Sequence, residues 1–300
     1  MPAATWIHWM ETILLALPEN EKIARRLSDI TGTLLGKSEI RHFPDGETYL
    51  RLDSNVSNRK VVLVCTLDRP DKKILPLYYL AKTVRDMGCD SICLVAPYLA
   101  YMRQDKIFRT GEAVTSEYFA QLLSSFVDYL ITIDPHLHRR STLAEIYSIP
   151  TQVSHASSSI SEWIKKNIET PVIIGPDEES KQWVSEVANN SMAPFIILKK
   201  HRLGDQNVEI STPDIEKYSD HRPVLIDDII STGNTMIETI KRLKQARMKQ
   251  PLCIGIHAVF AGNTYENLRN AGAERVITCN TIEHPSNSID VTDLLTGFQK

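Results

Sequence analysis

Short apolar runs punctuate the chain at 12–16, 60–66, 91–96, 129–134, 172–175, 195–198, 224–228, 252–259 and 276–279. Each is rich in β-branched residues and bounded by turn-forming residues, which predicts strands. The runs are apolar almost throughout rather than alternating, as strands buried on both faces are. Between most of them lie amphipathic stretches at 20–30, 74–87, 114–126, 157–167, 179–189, 234–247 and 263–271, which predict helices. Strands alternating with helices predict an α/β fold whose mainly parallel sheets are flanked by helices. There are more strands than one modest sheet needs, and the polar run at 154–161 separates them into comparable halves. Domains over 11–153 and 154–300 are therefore expected. No short tandem repeat or low-complexity segment interrupts the pattern.

Composition narrows the function. With a formal net charge of -3 the chain lacks the basic balance that general nucleic-acid binding needs. Its longest apolar stretches, about six residues, fall far short of the roughly twenty of a membrane span. No nucleic-acid or membrane partner is expected. The five cysteines, Cys65, Cys89, Cys93, Cys253 and Cys279, are odd in number and show no Cys-x-x-Cys spacing. They read as buried thiols of a reducing compartment. The opening residues carry no basic segment followed by a long apolar one, so a cytoplasmic protein is expected, with 1–9 as an extension outside the fold.

Parallel sheets take their ligands beyond the carboxyl ends of their strands, which directs attention to the residues after each apolar run. The strongest segment is Val224-Leu-Ile-Asp-Asp-Ile-Ile-Ser-Thr-Gly-Asn-Thr235. A strand ends in two carboxylates, Asp227 and Asp228, followed by a Ser/Thr/Gly loop that opens onto a helix. Backbone N–H groups, hydroxyls and the positive end of a helix suit a phosphate. The acids lie one loop-width away, placed to accept hydrogen bonds from vicinal sugar hydroxyls. A plainer reading is a helix capped by Ser231 or Thr232, which leaves the paired acids unexplained. Other strand ends contribute 134–138, 175–180 and 199–202, and the turn 43–47 precedes an alternating segment at 48–52. The stretch Gly32-Thr-Leu-Leu-Gly-Lys-Ser38 is one residue too short between its glycines for a P-loop and follows a helix pattern. It reads as a helix-to-strand connection.

The segment 224–235 resembles the phosphoribosyl-diphosphate loop shared by phosphoribosyltransferases and ribose-phosphate pyrophosphokinases. Phe43-Pro-Asp-Gly-Glu47, Tyr101-Met-Arg-Gln-Asp105 and Asp134-Pro-His136 occur in the order and spacing of the second family, and the resemblance runs over about 12 to 290. It implies two phosphoribosyltransferase-like domains with the active site between them. It also implies transfer of the diphosphoryl group of Mg²⁺-ATP to the 1-hydroxyl of ribose 5-phosphate.

Carried over by position, Phe43, Asp45 and Glu47 resemble an adenine-binding loop that the family supplies from a neighbouring subunit, which implies a homodimer or higher homo-oligomer. Arg103, Gln104 and Asp105 resemble the ATP grip, and His136 a metal- and ATP-binding histidine, with His138 two residues on. Asp177 resembles an Mg²⁺-organising aspartate, although Glu178 and Glu179 replace the small residues usual after it. Lys200 and Arg202 resemble the catalytic pair of a flexible loop that encloses the transferring phosphates. Asp227 and Asp228 resemble residues that hold the ribose hydroxyls. Ser231, Thr232, Gly233, Asn234 and Thr235 resemble the seat of the 5-phosphate. Two alternatives compete: a phosphoribosyltransferase acting on a nucleobase, and a non-catalytic homologue that binds the same ligands to regulate a partner.

Overall fold

The structure, a computed structural model, describes residues 11–137, 139–178, 180–203, 207–211 and 215–299, with the side chains of 199–203 and 207–211 set aside. His138, Glu179 and the extension 1–9 lie outside the described residues. The chain divides into two compact units. One runs to Ser154 and takes back the C-terminal segment from Thr292; the other spans His155–Val291.

The first unit contains β1 (Thr12–Ala16), α1 (Glu21–Thr31), β2 (Leu34–Leu35), β3 (Ser38–His42), β4 (Thr48–Leu52), β5 (Lys60–Val64), α2 (Ile74–Asp86), β6 (Ser91–Ala96), α3 (Thr115–Ser124), β7 (Tyr129–Ile133) and β8 (Thr151–Ser154). Six strands form a parallel sheet in the order β2-β1-β5-β6-β7-β8, and β3 and β4 stand apart as an antiparallel hairpin. The second unit contains α4 (Ser157–Asn167), β9 (Pro171–Gly175), α5 (Lys181–Ser191), β10 (Phe195–Ile197), β11 (Lys199–Leu203), β12 (Asn207–Ser211), β13 (Arg222–Ile229), α6 (Asn234–Gln245), β14 (Leu252–His257), α7 (Thr264–Ala271), β15 (Arg275–Cys279) and β16 (Asn287–Ile289). Its sheet runs β10-β9-β13-β14-β15-β16, again parallel, with β11 and β12 as a separate hairpin.

The two units therefore repeat one plan. A first strand is followed by a helix and an edge strand, then a hairpin leaves the sheet, and the remaining strands add on the other side of the first. The chain reverses direction across the sheet between β1 and β5, and again between β9 and β13. A crevice opens at such a reversal, beyond the strand carboxyl ends.

The cores account for the apolar runs. Val61, Val62, Leu63 and Val64 of β5 are fully buried, as are Val172 and Ile173 of β9. All five cysteines are buried and none is in a disulfide, and burial pushes the thiols of Cys65, Cys93 and Cys253 up to about 12. The decoy at 32–38 proves to be a connection: Gly32 closes α1 by donating to Ser28 O at 2.8 Å, and β2 follows.

Two readings are corrected. The last residues, grouped by sequence with 154–300, form a 3₁₀ turn at Thr292–Gln299 that belongs to the first unit. Leu295 and Phe298, three residues apart, are buried there, each contributing about 1.5–3 kcal/mol. Lys60 Nζ donates to Phe298 O at 2.6 Å and Ser154 Oγ to Leu294 O at 2.8 Å. The segment expected as a flexible loop after 198 is the hairpin β11–β12, with Lys200 opposite Ile210 and Arg202 opposite Val208. Its backbone groups pair with each other across a two-stranded ladder. The shared projection expected of Lys200 and Arg202 concerns side chains outside the described residues.

Candidate active site

The crevice of the second unit gathers Asp177, Asp227, Asp228 and the loop 230–235. Asp227 and Asp228 end β13, half-buried, each folding one carboxylate oxygen back on the chain. Asp227 Oδ1 accepts from Asp228 N at 3.0 Å and Asp228 Oδ1 from Ile229 N at 2.8 Å. Burial, then the charge of Asp228, then that of Asp177, push the Asp227 carboxyl well above the usual carboxylate range. Three acids converge with too little compensating charge, so a proton, a cation or sugar hydroxyls are needed to complete the cluster. Among the described residues no three His, Cys, Asp or Glu form a ready-made metal cage.

The loop that follows is built to leave donors open. The residue before α6 is Gly233, at φ 68°, and no side chain caps the helix. The reading of Ser231 or Thr232 as a helix cap is thereby excluded. The side chains of Ser231, Thr232, Asn234 and Thr235 have no hydrogen-bond partner among the described residues. Uncapped N–H groups and unengaged hydroxyls at a helix start form an anion seat. The segment after β14, which sequence reasoning passed over, supports this loop from behind. Phe260 N donates to Ile230 O at 2.9 Å, Ala261 N to Ser231 O at 3.0 Å, and Ile230 N to His257 O at 3.1 Å. The strand-end rule points to this segment too, but it carries no charge to mark it.

Asp177 follows β9, where Gly175 admits the close approach of neighbours. A Cβ there would stand 2.8 Å from Val184 Cγ2 and 2.9 Å from Ile197 Cδ1. Asp177 Oδ1 accepts from Ser180 N at 3.1 Å, which fixes the turn. Glu178, the departure from the usual pattern, is exposed and lies 3.8 Å from Lys181 Nζ. Such a pair costs the site little, because solvent screens it.

In the first unit, Phe43, Asp45 and Glu47 occupy the tip of the β3–β4 hairpin. Phe43 is 41% exposed, so it is not a core residue. Its ring meets Tyr49 edge-on at 5.9 Å, and the Arg41 guanidinium lies over it at 5.1 Å. Asp45 Oδ1 accepts from Glu47 N at 3.1 Å, holding the turn. Arg103 is exposed with no side-chain partner among the described residues. Gln104 Oε1 accepts from Thr115 Oγ1 at 3.0 Å.

Asp105 differs from its expected role. It is buried and bound to Arg139, whose Nη1 lies 3.1 and 3.3 Å from its two oxygens. Arg140 Nη2 donates to the Asp105 carbonyl at 3.4 Å and to Glu117 at 2.7 Å. The aspartate thus ties the segment 103–105 to the loop after β7, its buried carboxylate turned onto Arg139. The arginines that hold it, Arg139 and Arg140, were missed by sequence reasoning. Their signal was a doubled basic residue three positions past His136. Asp134, at φ 36°, turns the chain abruptly after β7, and His136 follows, half-buried.

Comparisons with known proteins agree along the chain. The N-terminal domain of ribose phosphate pyrophosphokinase matches residues 12–126, and the phosphoribosyl transferase domain matches 142–294. A ribose-phosphate pyrophosphokinase of Saccharolobus solfataricus is 33% identical over 278 residues, covering 91% of this chain and 94% of the relative. One of Methanosarcina mazei is 31% identical over 279 residues, covering 93% and 92%. The crystal structure of a phosphoribosylpyrophosphate synthetase from Mycobacterium smegmatis superposes with a TM-score of 0.83, covering 96% and 97% of the two chains at 19% identity. That likeness speaks to the fold alone.

Proposed function

Because the chain belongs to the ribose-phosphate pyrophosphokinase family, and so makes 5-phosphoribosyl 1-diphosphate and AMP from ATP and ribose 5-phosphate, we propose that its two half-sites share the reaction as follows. The second unit holds the sugar phosphate. The 5-phosphate sits on the N–H groups and hydroxyls of Ser231–Thr235, and Asp227 and Asp228 accept hydrogen bonds from the ribose hydroxyls. The uncapped start of α6 at Gly233 is the observation that carries this reading. The first unit holds ATP, with Arg103 and Gln104 on the polyphosphate and Asp105 positioning them through Arg139. His136 lies on the polyphosphate side as well. Phe43, Asp45 and Glu47 present an exposed aromatic tip suited to an adenine on a second copy, and with it a homo-oligomer. Among the described residues no helix is long and apolar enough to cross a membrane; a cytoplasmic site of action is part of the proposal.

Phosphoryl-type transfer asks a protein for positioning and charge stabilisation, with little covalent work. A divalent cation such as Mg²⁺, when bound, supplies positive charge to the diphosphate and the ribose hydroxyls. In the second unit Asp177, Asp227 and Asp228 would hold such a cation with help from substrate oxygens, and in the first unit His136 would. The chain's own residues orient the ribose 1-hydroxyl for in-line attack on the β-phosphorus. The O1–Pβ bond forms, the hydroxyl proton passes to water, the bond from Pβ to the α,β-bridging oxygen breaks, and AMP departs with that oxygen. Lys200 and Arg202 spread the charge that develops. The five cysteines are buried, and none is given a role in the transfer.

The test is AMP release from Mg²⁺-ATP with and without ribose 5-phosphate, the product being identified by mass. Sugar-dependent AMP with phosphoribosyl diphosphate is the expected result. Binding of both ligands without turnover would overturn it in favour of a regulatory homologue.

The Asp227 shift adds a pH prediction. A carboxyl whose pKa is raised in the folded protein binds its proton more tightly there than in the unfolded chain. Its contribution to stability is therefore present at low pH and declines as pH rises through the raised value. Ribose hydroxyls donating to the pair favour the ionised form, so binding is expected to release protons. Calorimetry of ribose 5-phosphate binding in buffers of differing ionisation enthalpy should show net release, abolished in Asp227→Asn. A proton count unchanged by that substitution would remove Asp227 from the sugar contact.

A further inference from the structure

The duplicated plan gives the first unit a crevice of its own, between the ends of β1 and β5, where the second unit has its sugar-phosphate crevice. None of Phe43, Arg103, Gln104 or His136 lines it. It is a cavity of about 490 Å³, within the roughly 300–1,000 Å³ range of small-molecule sites. Leu17, Ile40 and Pro76 give it an apolar wall, and Arg69, Lys72 and Lys73 bring cations to it, against one acid, Glu19.

Its walls are tied in place from within. Asn20, 1% exposed, donates from Nδ2 to Pro18 O at 2.9 Å and accepts from Thr66 N at 2.7 Å, joining the loops after β1 and β5. Lys73 is neutralised internally: its ammonium contacts the buried carboxylate of Asp68, donates to Thr66 O at 3.2 Å and lies 3.4 Å from Glu19. The Tyr101 hydroxyl binds the Asp71 carboxylate and holds the outer turn. That leaves Arg69 and Lys72 facing solvent. Lys72 has no ion partner among the described residues. Arg69 Nη1 lies 3.0 Å from Asp68 Oδ2, yet its side chain is 67% exposed. Arg69 also holds φ 48°, a left-handed conformation that costs an ordinary residue about 1–3 kcal/mol.

We propose that this cavity is a second phosphate-ester site, in which Arg69 and Lys72 take the phosphate and the apolar wall of Leu17, Ile40 and Pro76 takes the body of a small sugar or nucleoside phosphate. The placement rests by analogy on the sugar-phosphate reading of the second unit, but the chemistry differs. The turn after β5 has Pro70 where an N–H would be needed, so the charge comes from side chains rather than backbone donors. An arginine fork beside a lysine suits the three oxygens of a phosphate monoester.

Crystals of the full chain soaked in tungstate, an electron-dense stand-in for phosphate, test this. Two anomalous peaks per chain are expected, one at residues 231–235 and one within hydrogen-bond reach of Arg69 and Lys72. The second should vanish in the Arg69→Ala/Lys72→Ala variant while the first persists, which also shows that the variant is folded. Displacement of the second peak by ribose 5-phosphate would mark a sugar-phosphate site, and displacement by AMP alone a nucleoside-phosphate site. The proposal fails if no peak forms at Arg69, if a second copy of the chain fills the cavity, or if the peak there survives both esters as an adventitious ion. Loss of the peak at 231–235 alone would instead count against the reading of the second unit.

Discussion

Gly233→Ala is expected to destabilise the second unit by about 2–5 kcal/mol and to raise the KM for ribose 5-phosphate. Two separable costs lie behind the figure. Residue 233 sits at φ 68°, where a side chain costs about 1–2 kcal/mol. A Cβ there would also stand 2.8 Å from Thr264 Cγ2 and 3.5 Å from Leu268 Cγ, an overpacking of about 1–3 kcal/mol. Moving either wall shifts the N–H groups that receive the phosphate, so stability and sugar-phosphate affinity fall together. Adding Thr264→Ala should relieve the contact but not the backbone strain, recovering only part of the loss. Denaturant unfolding beside steady-state kinetics measures both. A single variant with wild-type stability and KM would show that the loop has room to rearrange.

Lys200→Ala is expected to lower kcat by about 10²–10³-fold, the effect of removing one preorganised charge-stabilising donor. The loss should appear equally in kcat and kcat/KM, because the interaction belongs to the transition state. The KM for ribose 5-phosphate should change little, since the 5-phosphate is proposed to sit on the separate loop 231–235. Arg202→Ala should act in the same direction, and the double variant should lose less than the product of the single effects if the two residues work as a unit. The β11–β12 ladder, formed by main-chain groups from Lys199 to Ser211, is indifferent to either truncation. Undiminished turnover in Lys200→Ala, or a change confined to KM, would remove Lys200 from the catalytic role.

How much was legible beforehand differs between parts of the molecule. Each of the seven amphipathic stretches falls on a helix, with α1 and α5 running one and two residues past theirs, because a one-sided apolar stripe is a local property. The central strands were legible for a similar reason: runs such as Val61–Val64 are buried on both faces and carry the pattern in themselves. Their ends drifted by a residue or two. The edge strands β2, β8 and β16 and the hairpin strands β11 and β12 were not legible. They are short or partly polar: β2, β8 and β16 each lean on one neighbour at a sheet margin, and β11 and β12 pair with each other.

Within the site, the pair Asp227–Asp228 and the loop 231–235 stood out because strand, acids, hydroxyls and glycine are contiguous. The segment 258–261 behind that loop did not, since main-chain hydrogen bonds leave no mark in residue type. Asp105 was visible as a motif residue, yet its inward pairing with Arg139, 34 residues away, was not.

The sequence by itself determined the α/β class, the division near 154, the burial of the cysteines and the strand-end segments that carry charge. Each of these depends on side chains close together along the chain. Tertiary structure alone decided that the two halves share one strand order, that 292–299 returns to the first unit, and that Gly233 rather than Ser231 or Thr232 opens α6. It also decided that a cavity lies beyond β1 and β5, walled by residues as far apart as Leu17 and Pro76. Those outcomes depend on which surfaces meet after the chain has crossed its own sheet, and no local pattern of residues encodes that crossing.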